Sequence, residues 1–346
     1  MKQLIAIIYL LGSINLYAQN DSVQTGAEEN EVQLYIKKGC ELITNQEYEK
    51  AITAFTLAIE NKSDDTEALI KRANVYVILK QFELANHDYN TAIYLEKNQW
   101  QSYLGRGTLK FYEDKHDEAL KDLLKAKDLK CLDAELFYFL GALLFELGDY
   151  ESAHTYYSQC ISINTNHFFA YNDRGSTLRM MGLYSNAITD YKKAIELKPD
   201  FTLAYTNLGS TYWRNGNLDE ASIAYQNAIQ IKPDMVLAYI NRAGVKIDKN
   251  DFEGALVDCK KALEIDSNYA PAYNNQGAAL LKMNRLSDAA KSFTLAIEIE
   301  PTNGIAYLNR GICYEKEHNI KLAVEDWKKA AALGIQKAKN YIDFYE

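Results

Sequence analysis

A 34-residue pattern recurs through most of the chain and leaves little freedom in the fold. It starts at residues 32, 66, 100, 134, 168, 202, 236, 270 and 304, with no insertion or deletion. Tandem copies of one short unit bury their apolar sides against their neighbours in line, so no single common interior is expected. With positions counted 1 to 34 in each repeat, position 8 is always small: Gly39, Ala73, Gly107, Gly141, Gly175, Gly209, Ala243, Gly277 and Gly311. Position 20 is always Ala, from Ala51 to Ala323, and position 27 is Ala except at Cys160. Position 4 is aromatic except at Leu69, and position 24 is mostly bulky, as in Phe55, Tyr89, Tyr157, Tyr225 and Trp327. These two rows account for much of the excess of Tyr, 26 residues against 3 Trp.

The spacing 4, 8, 11 lays one stripe on a first helix, and 20, 24, 27 lays another on a second. Small residues facing large ones let two antiparallel helices approach closely. The chain must reverse near position 15, where Gly148, Gly182, Gly216, Asn250 and Asn284 tolerate a left-handed backbone. Pro199, Pro233 and Pro301 stand at position 32, where a second helix should already have stopped.

These residues resemble the tetratricopeptide repeat, whose period and whose aromatic, Gly, Tyr, Ala, aromatic, Ala, Pro pattern they follow over residues 32–337. The resemblance implies an all-α, right-handed superhelical solenoid of antiparallel helix pairs. A capping helix is expected at 338–346, with Tyr341, Phe344 and Tyr345 covering the last exposed face. The third repeat departs most, with Lys110, His116 and Leu123 where bulky apolar or aromatic residues are usual.

Position 7, usually Leu in this family, is Arg in five repeats: Arg72, Arg106, Arg174, Arg242 and Arg310. The same five, and no others, carry Asp at position 23: Asp88, Asp122, Asp190, Asp258 and Asp326. Such co-variation implies contact, so each of these repeats is expected to carry an Arg–Asp bridge from first to second helix. The bridges are read as structural, because a buried Arg needs a partner.

Catalysis finds no place in the pattern. Neither flank of the repeats holds a catalytic domain, and the five His (His87, His116, His154, His167, His318) form no metal-ligand spacing. Gly105-Arg106-Gly107 has the look of a dinucleotide loop but falls inside an expected helix with no strand before it. No cofactor and no metal is therefore expected. Net charge −9 argues against a nucleic-acid partner. The five Cys occupy different repeat positions, so no disulfide framework recurs; Cys131 and Cys160 are the one pair in adjacent repeats that could approach.

The helical period turns positions 2, 5, 6, 9, 12 and 13 toward the face that first helices share. In repeats three to five that face receives Phe111, Tyr112, Tyr138, Phe139, Phe145 and Phe169, a candidate site for apolar anchors. In repeats six to nine it receives Asn207, Asn241, Asn275 and Asn309 at position 6, with Asn172 and Asn274 beside the row. Ser210, Gly244 and Ala278 supply a small floor at position 9. An amide both donates and accepts, so such a row can hold a peptide backbone whatever its side chains, and it resembles the asparagine ladder of some tetratricopeptide superhelices. The two-carboxylate clamp of other members is not matched: Lys37, Lys71 and Asn74 are present, but Gln101 and Gly105 stand where Lys and Arg should follow.

Residues 1–18 read as a cleavable export signal: Lys2, the apolar run Leu4 to Leu11, and Ala18 before the cut. The run is too short to cross a bilayer, and no later segment replaces it, so no membrane insertion is expected after signal removal. Residues 19–31 read as a disordered acidic leader. The expected function is non-catalytic binding of protein or peptide segments outside the cytoplasm, periplasmic or secreted. A structural scaffold of the cell envelope, working through outer faces or ends, is the alternative.

Overall fold

The computed structural model of the chain describes residues 27–345, which contain nineteen helices. The expected signal peptide lies outside the described residues. The first hairpins are α1 (Ala27–Thr44) with α2 (Tyr48–Asn61), and α3 (Thr66–Ile78) with α4 (Phe82–Leu95). α5 (Trp100–Tyr112), α6 (His116–Asp128), α7 (Ala134–Glu146), α8 (Tyr150–Ile163) and α9 (Phe168–Met180) follow. Then come α10 (Tyr184–Leu197), α11 (Thr202–Arg214), α12 (Leu218–Ile231), α13 (Val236–Asp248) and α14 (Phe252–Ile265). The chain ends with α15 (Ala270–Lys282), α16 (Leu286–Ile299), α17 (Gly304–Lys316), α18 (Ile320–Ala332) and α19 (Gln336–Tyr345). α1 to α18 fall two to a repeat in the expected register. One boundary moves: α1 begins at Ala27, so the leader expected to run unstructured to Glu31 is helical over its last five residues.

Two bodies are distinguished, an N-terminal one to Met181 and a C-terminal one from Gly182. Within each, the second helix of a repeat packs on its first helix and on the next first helix. Consecutive first helices also touch (α3, α5, α7 and α9 in one body; α11, α13, α15 and α17 in the other), so they line the inner side.

The local reasons are those of the repeat. Every residue at position 15 has positive φ, including Gln46, Lys80, Asp114 and His318, near 60°. The turn imposes this conformation even where the residue does not favour it. Position 8 is small because position 24 reaches it. A Cβ added at Gly39, Gly141, Gly209, Gly277 or Gly311 would stand 2.5–2.8 Å from the ring of Phe55, Tyr157, Tyr225, Phe293 or Trp327. Gly105 is small for a related reason: the Tyr89 ring of the preceding repeat fills the space where its Cβ would be. The Gly105-Arg106-Gly107 run is thus explained by packing.

Four of the five expected ion pairs lie inside one body, and all four are formed edge-on with two hydrogen bonds. Arg72 Nε and Nη2 donate to Asp88 at 2.8 and 2.9 Å, and Arg106 to Asp122 at 2.6 and 2.7 Å. Arg242 reaches Asp258 at 2.8 and 2.5 Å, and Arg310 reaches Asp326 at 2.7 and 2.8 Å. The Asp side chains are buried and the Arg side chains nearly so. The hydrogen bond to Asp122, outweighing burial, raises the Arg106 guanidinium above its ordinary value, and Arg310 is raised in the same way by Asp326. Arg174 and Asp190 fall on opposite sides of the body boundary, and their pairing stays a sequence expectation.

A third bond went unanticipated. Arg Nη1 donates to position 25 of the preceding repeat: Arg72 to Thr56 at 3.0 Å, Arg106 to Asn90 at 2.6 Å, Arg174 to Ser158 at 3.1 Å, and Arg310 to Thr294 at 3.0 Å. Arg242 does the same with Gln226. Each of these Arg therefore ties its repeat to the one before.

The capping helix is α19, slightly longer at its start than expected. Tyr341 and Tyr345 stack on Trp327 at 4.8 and 5.7 Å, and the Tyr345 hydroxyl donates to Glu315. Phe344 points away, 79% exposed. All five Cys are free thiols, Cys131 and Cys160 included. Burial pushes Cys131, Cys259 and Cys313 up to about 12, which leaves them protonated and unreactive near neutral pH. No described helix is long and apolar enough to cross a membrane.

Candidate peptide-binding face

The first helices hold two different inner surfaces. In the N-terminal body the expected aromatic anchors do not form an open patch. Phe111, Tyr138, Phe139 and Phe169 are buried, Phe139 completely, and Tyr112 and Phe145 are half-buried. The rings of Phe111, Tyr112, Tyr138 and Phe139 meet edge to face. Phe111 lies 5.8 Å from Tyr112 and 5.9 Å from Phe139, and Tyr138 lies 5.4 Å from Phe139. Phe145 turns to Tyr150 at 5.5 Å, and Phe169 meets Phe168 at 4.2 Å. Large rings on adjacent first helices are long enough to close over the space between them, a gain in buried apolar area that exposure would forfeit. Phe111, Tyr138, Phe139 and Phe169 are therefore not exposed anchors, while Tyr112 and Phe145 keep part of their surface.

Asn172 is corrected likewise. It is 1% exposed, and its amide donates to Asp173 at 2.8 Å. Asp173 also accepts the Tyr138 hydroxyl at 2.7 Å. Burial holds the Asp173 carboxyl above the usual carboxylate range, against the lowering effect of these two donors. Tyr138 in turn stacks on His167 at 4.9 Å. His167 accepts the Ala170 amide on Nδ1, which leaves Nε2 to donate to Glu135 at 3.2 Å.

In the C-terminal body the position-6 row stays accessible. Asn207, Asn241, Asn275 and Asn309, one on each of α11, α13, α15 and α17, are all half-buried. Asn275 donates to the Ile240 carbonyl at 3.1 Å, which links α15 to α13 and orients its amide. Asn274, beside it, is half-buried, and its amide oxygen has no hydrogen-bond partner. The floor is small as expected, and Ser210 shares a hydrogen bond with the Tyr225 hydroxyl at 2.9 Å. Gly244 lies directly under the Trp213 ring, whose N–H donates to Asp248 at 2.6 Å. Trp213, Ile247 and Leu281 share position 12 and are half-buried, forming an apolar edge parallel to the amides. In the sequence that edge is a recurrent bulky residue at a groove-facing position.

The rejected clamp stays rejected. Lys71 is buried and pairs with Glu67 at 3.5 Å, and Asn74 accepts the Tyr89 hydroxyl at 2.5 Å. His116 stands against Asp114 and Glu146, the latter 30 residues away in sequence, a proximity that sequence spacing does not show.

Tandem helical hairpins of this length, bound pair to pair and lined inside by first helices, define a repeat scaffold. Tetratricopeptide-repeat models match residues 32–65, 134–167, 202–235, 236–269 and 270–303, and a related repeat model matches 175–216. Together these matches cover more than half of the chain, which belongs to the tetratricopeptide-repeat family.

RNA polymerase II-associated protein 3 of Rattus norvegicus is 25% identical over 118 residues, 34% of this chain and 18% of that protein. Small glutamine-rich tetratricopeptide repeat-containing protein 2 of Saccharomyces cerevisiae is also 25% identical over 118 residues, 34% of this chain and 33% of that protein. The chain thus spans a third or less of these relatives. Among solved structures, the APC/C hetero-tetramer Cut9–Hcn1 matches 98% of this chain and 81% of its own at 13% identity, with a TM-score of 0.56, a likeness of fold alone. YrrB, a TPR protein with an unusual peptide-binding site, is 29% identical over 54% of this chain and 95% of its own, with a TM-score of 0.46. Tetratricopeptide proteins generally bind protein partners, and scaffold families of this kind are generally non-catalytic.

Proposed function

We propose that this protein is a non-catalytic scaffold that holds extended protein segments along the inner face of its C-terminal body. The observation that carries the reading is the row of half-buried amides Asn207, Asn241, Asn275 and Asn309 beside a small-residue floor. Amides spaced along consecutive first helices pair with successive peptide groups, and Trp213, Ile247 and Leu281 offer apolar contacts to side chains of the same segment. The preferred ligand is therefore an extended stretch with apolar side chains. The N-terminal expectation extends the reading: with Lys2, Leu4 to Leu11 and Ala18 as an export signal, the scaffold works outside the cytoplasm.

The test is cross-linking capture from the native source with the full chain and with the Asn207→Ala/Asn241→Ala/Asn275→Ala form. Loss of the captured partners at unchanged helicity supports groove binding. Undiminished capture sinks it and favours outer-face assembly. Mass spectrometry of the native N-terminus checks export: a chain beginning at Gln19 supports it, and an intact Met1 overturns it.

A further inference from the structure

Two departures from the repeat pattern fall together at the turn between α5 and α6. Position 17 is aromatic or aliphatic in eight repeats, as in Tyr48, Phe82, Leu218 and Ile320, but it is His116 in the third. Position 15, where every residue has positive φ, is Asp only there, at Asp114. The other eight copies act as internal controls: the turn forms without either residue, so the turn itself does not call for them. Both side chains face Glu146, the last residue of α7 in the next repeat, with His116 Nε2 2.9 Å from Glu146 Oε2. One ligand atom from each of the three lies within 4.8 Å of the others.

We propose that Asp114, His116 and Glu146 form a binding site for one divalent transition-metal ion of the zinc type, held across the seam between the third and fourth repeats. An imidazole nitrogen with two carboxylate oxygens suits zinc, cobalt or nickel, whereas calcium and magnesium prefer all-oxygen shells. Two carboxylates carry the charge that a dication balances. The nearby Lys110 and Lys115 are engaged by Glu113 at 3.0 and 3.1 Å. Tetrahedral zinc with bonds of about 2.0–2.2 Å sets its ligand atoms roughly 3.4 Å apart. Rotation of the exposed Asp114 and partly exposed Glu146 carboxylates would close that difference, with water completing the shell. The ion would fasten α5 and α6 to α7, where His116 has replaced the usual packing residue.

The experiment is a zinc titration of the full chain by calorimetry with a competing chelator, repeated with cobalt followed by its visible absorption. The wild type should take up one equivalent, melt at a higher temperature with zinc, and show no comparable response to magnesium. His116→Ala and Glu146→Gln should each weaken uptake at least about tenfold and abolish the melting shift, with helicity unchanged. His318→Ala, at the same kind of turn in the last repeat, should bind as the wild type does. Equal uptake by His116→Ala, or none by the wild type, overturns the proposal.

Discussion

Position 6 of the repeat carries Phe139 and Asp173 in the N-terminal body, and Asn207, Asn241, Asn275 and Asn309 in the C-terminal body. The backbone setting is the same, yet the outcomes differ. Phe139 is wholly buried among Phe111, Tyr112 and Tyr138, and Asp173 is taken up by Tyr138 and Asn172. The four amides stay half-open over small residues. A face lined with large rings closes on itself, because each ring gains more from its neighbour than from water. A face lined with short amides and small residues has too little apolar area to close in this way.

The two faces should differ most in stability. Phe139→Ala should cost about 3–5 kcal/mol in chemical denaturation, whereas Asn241→Ala should cost less than about 1 kcal/mol; equal costs would mean the first face is not closed. Next comes the Arg–Asp pair, which recurs inside each body. Arg72→Leu with Asp88 left in place should cost roughly 3 kcal/mol, and adding Asp88→Ala should restore most of it, since a lone buried carboxylate is worse than no pair. Failure of the double variant to recover would show that the bond from Arg72 to Thr56 carries more than the bridge does.

On the open face, Asn207→Ala/Asn241→Ala/Asn275→Ala should weaken a captured peptide by at least about tenfold, roughly 1.4 kcal/mol, in fluorescence anisotropy. Phe145→Ala should leave that affinity unchanged. The smallest effect is electrostatic. Burial raises the Asp173 carboxyl above its unfolded value, so the folded state holds the proton more tightly. Its contribution is full below the unfolded value of about 3.9 and is lost as pH rises through the folded value. Asp173→Asn should flatten that decline when denaturation midpoints at mildly acidic and neutral pH are compared. A slope identical to the wild type would remove Asp173 as its cause.

Much of this was legible in one sequence because the same environment is written many times. Gly39 with Phe55, and Gly277 with Phe293, stand 16 residues apart in every copy, so fold and packing could be read as a correlation between positions. The Arg–Asp bridges were legible for the same reason. What escaped lies between repeats. The acceptors Thr56, Asn90, Ser158, Gln226 and Thr294 differ in kind, so no single residue type drew attention to position 25. A helical wheel placed Phe139 on the inner face correctly but could not say that rings from α5 and α7 would meet there. Asp114 and Glu146 come together only through the docking of one hairpin on the next.

The bond from each Arg to the hairpin before it bears on how such an array can change length. From the third repeat onward, Arg-bearing copies alternate with others, and Leu124, Lys192 and Lys260 stand at position 25 just before the copies that lack Arg. Excising 34 residues, the sixth copy for example, would bring Lys192 against Arg242, two cations where a neutral acceptor belongs. Excising 68 residues, the sixth and seventh copies together, keeps every donor with its acceptor. From the third repeat onward, removing hairpins two at a time preserves the order of donors and acceptors, whereas removing one breaks it.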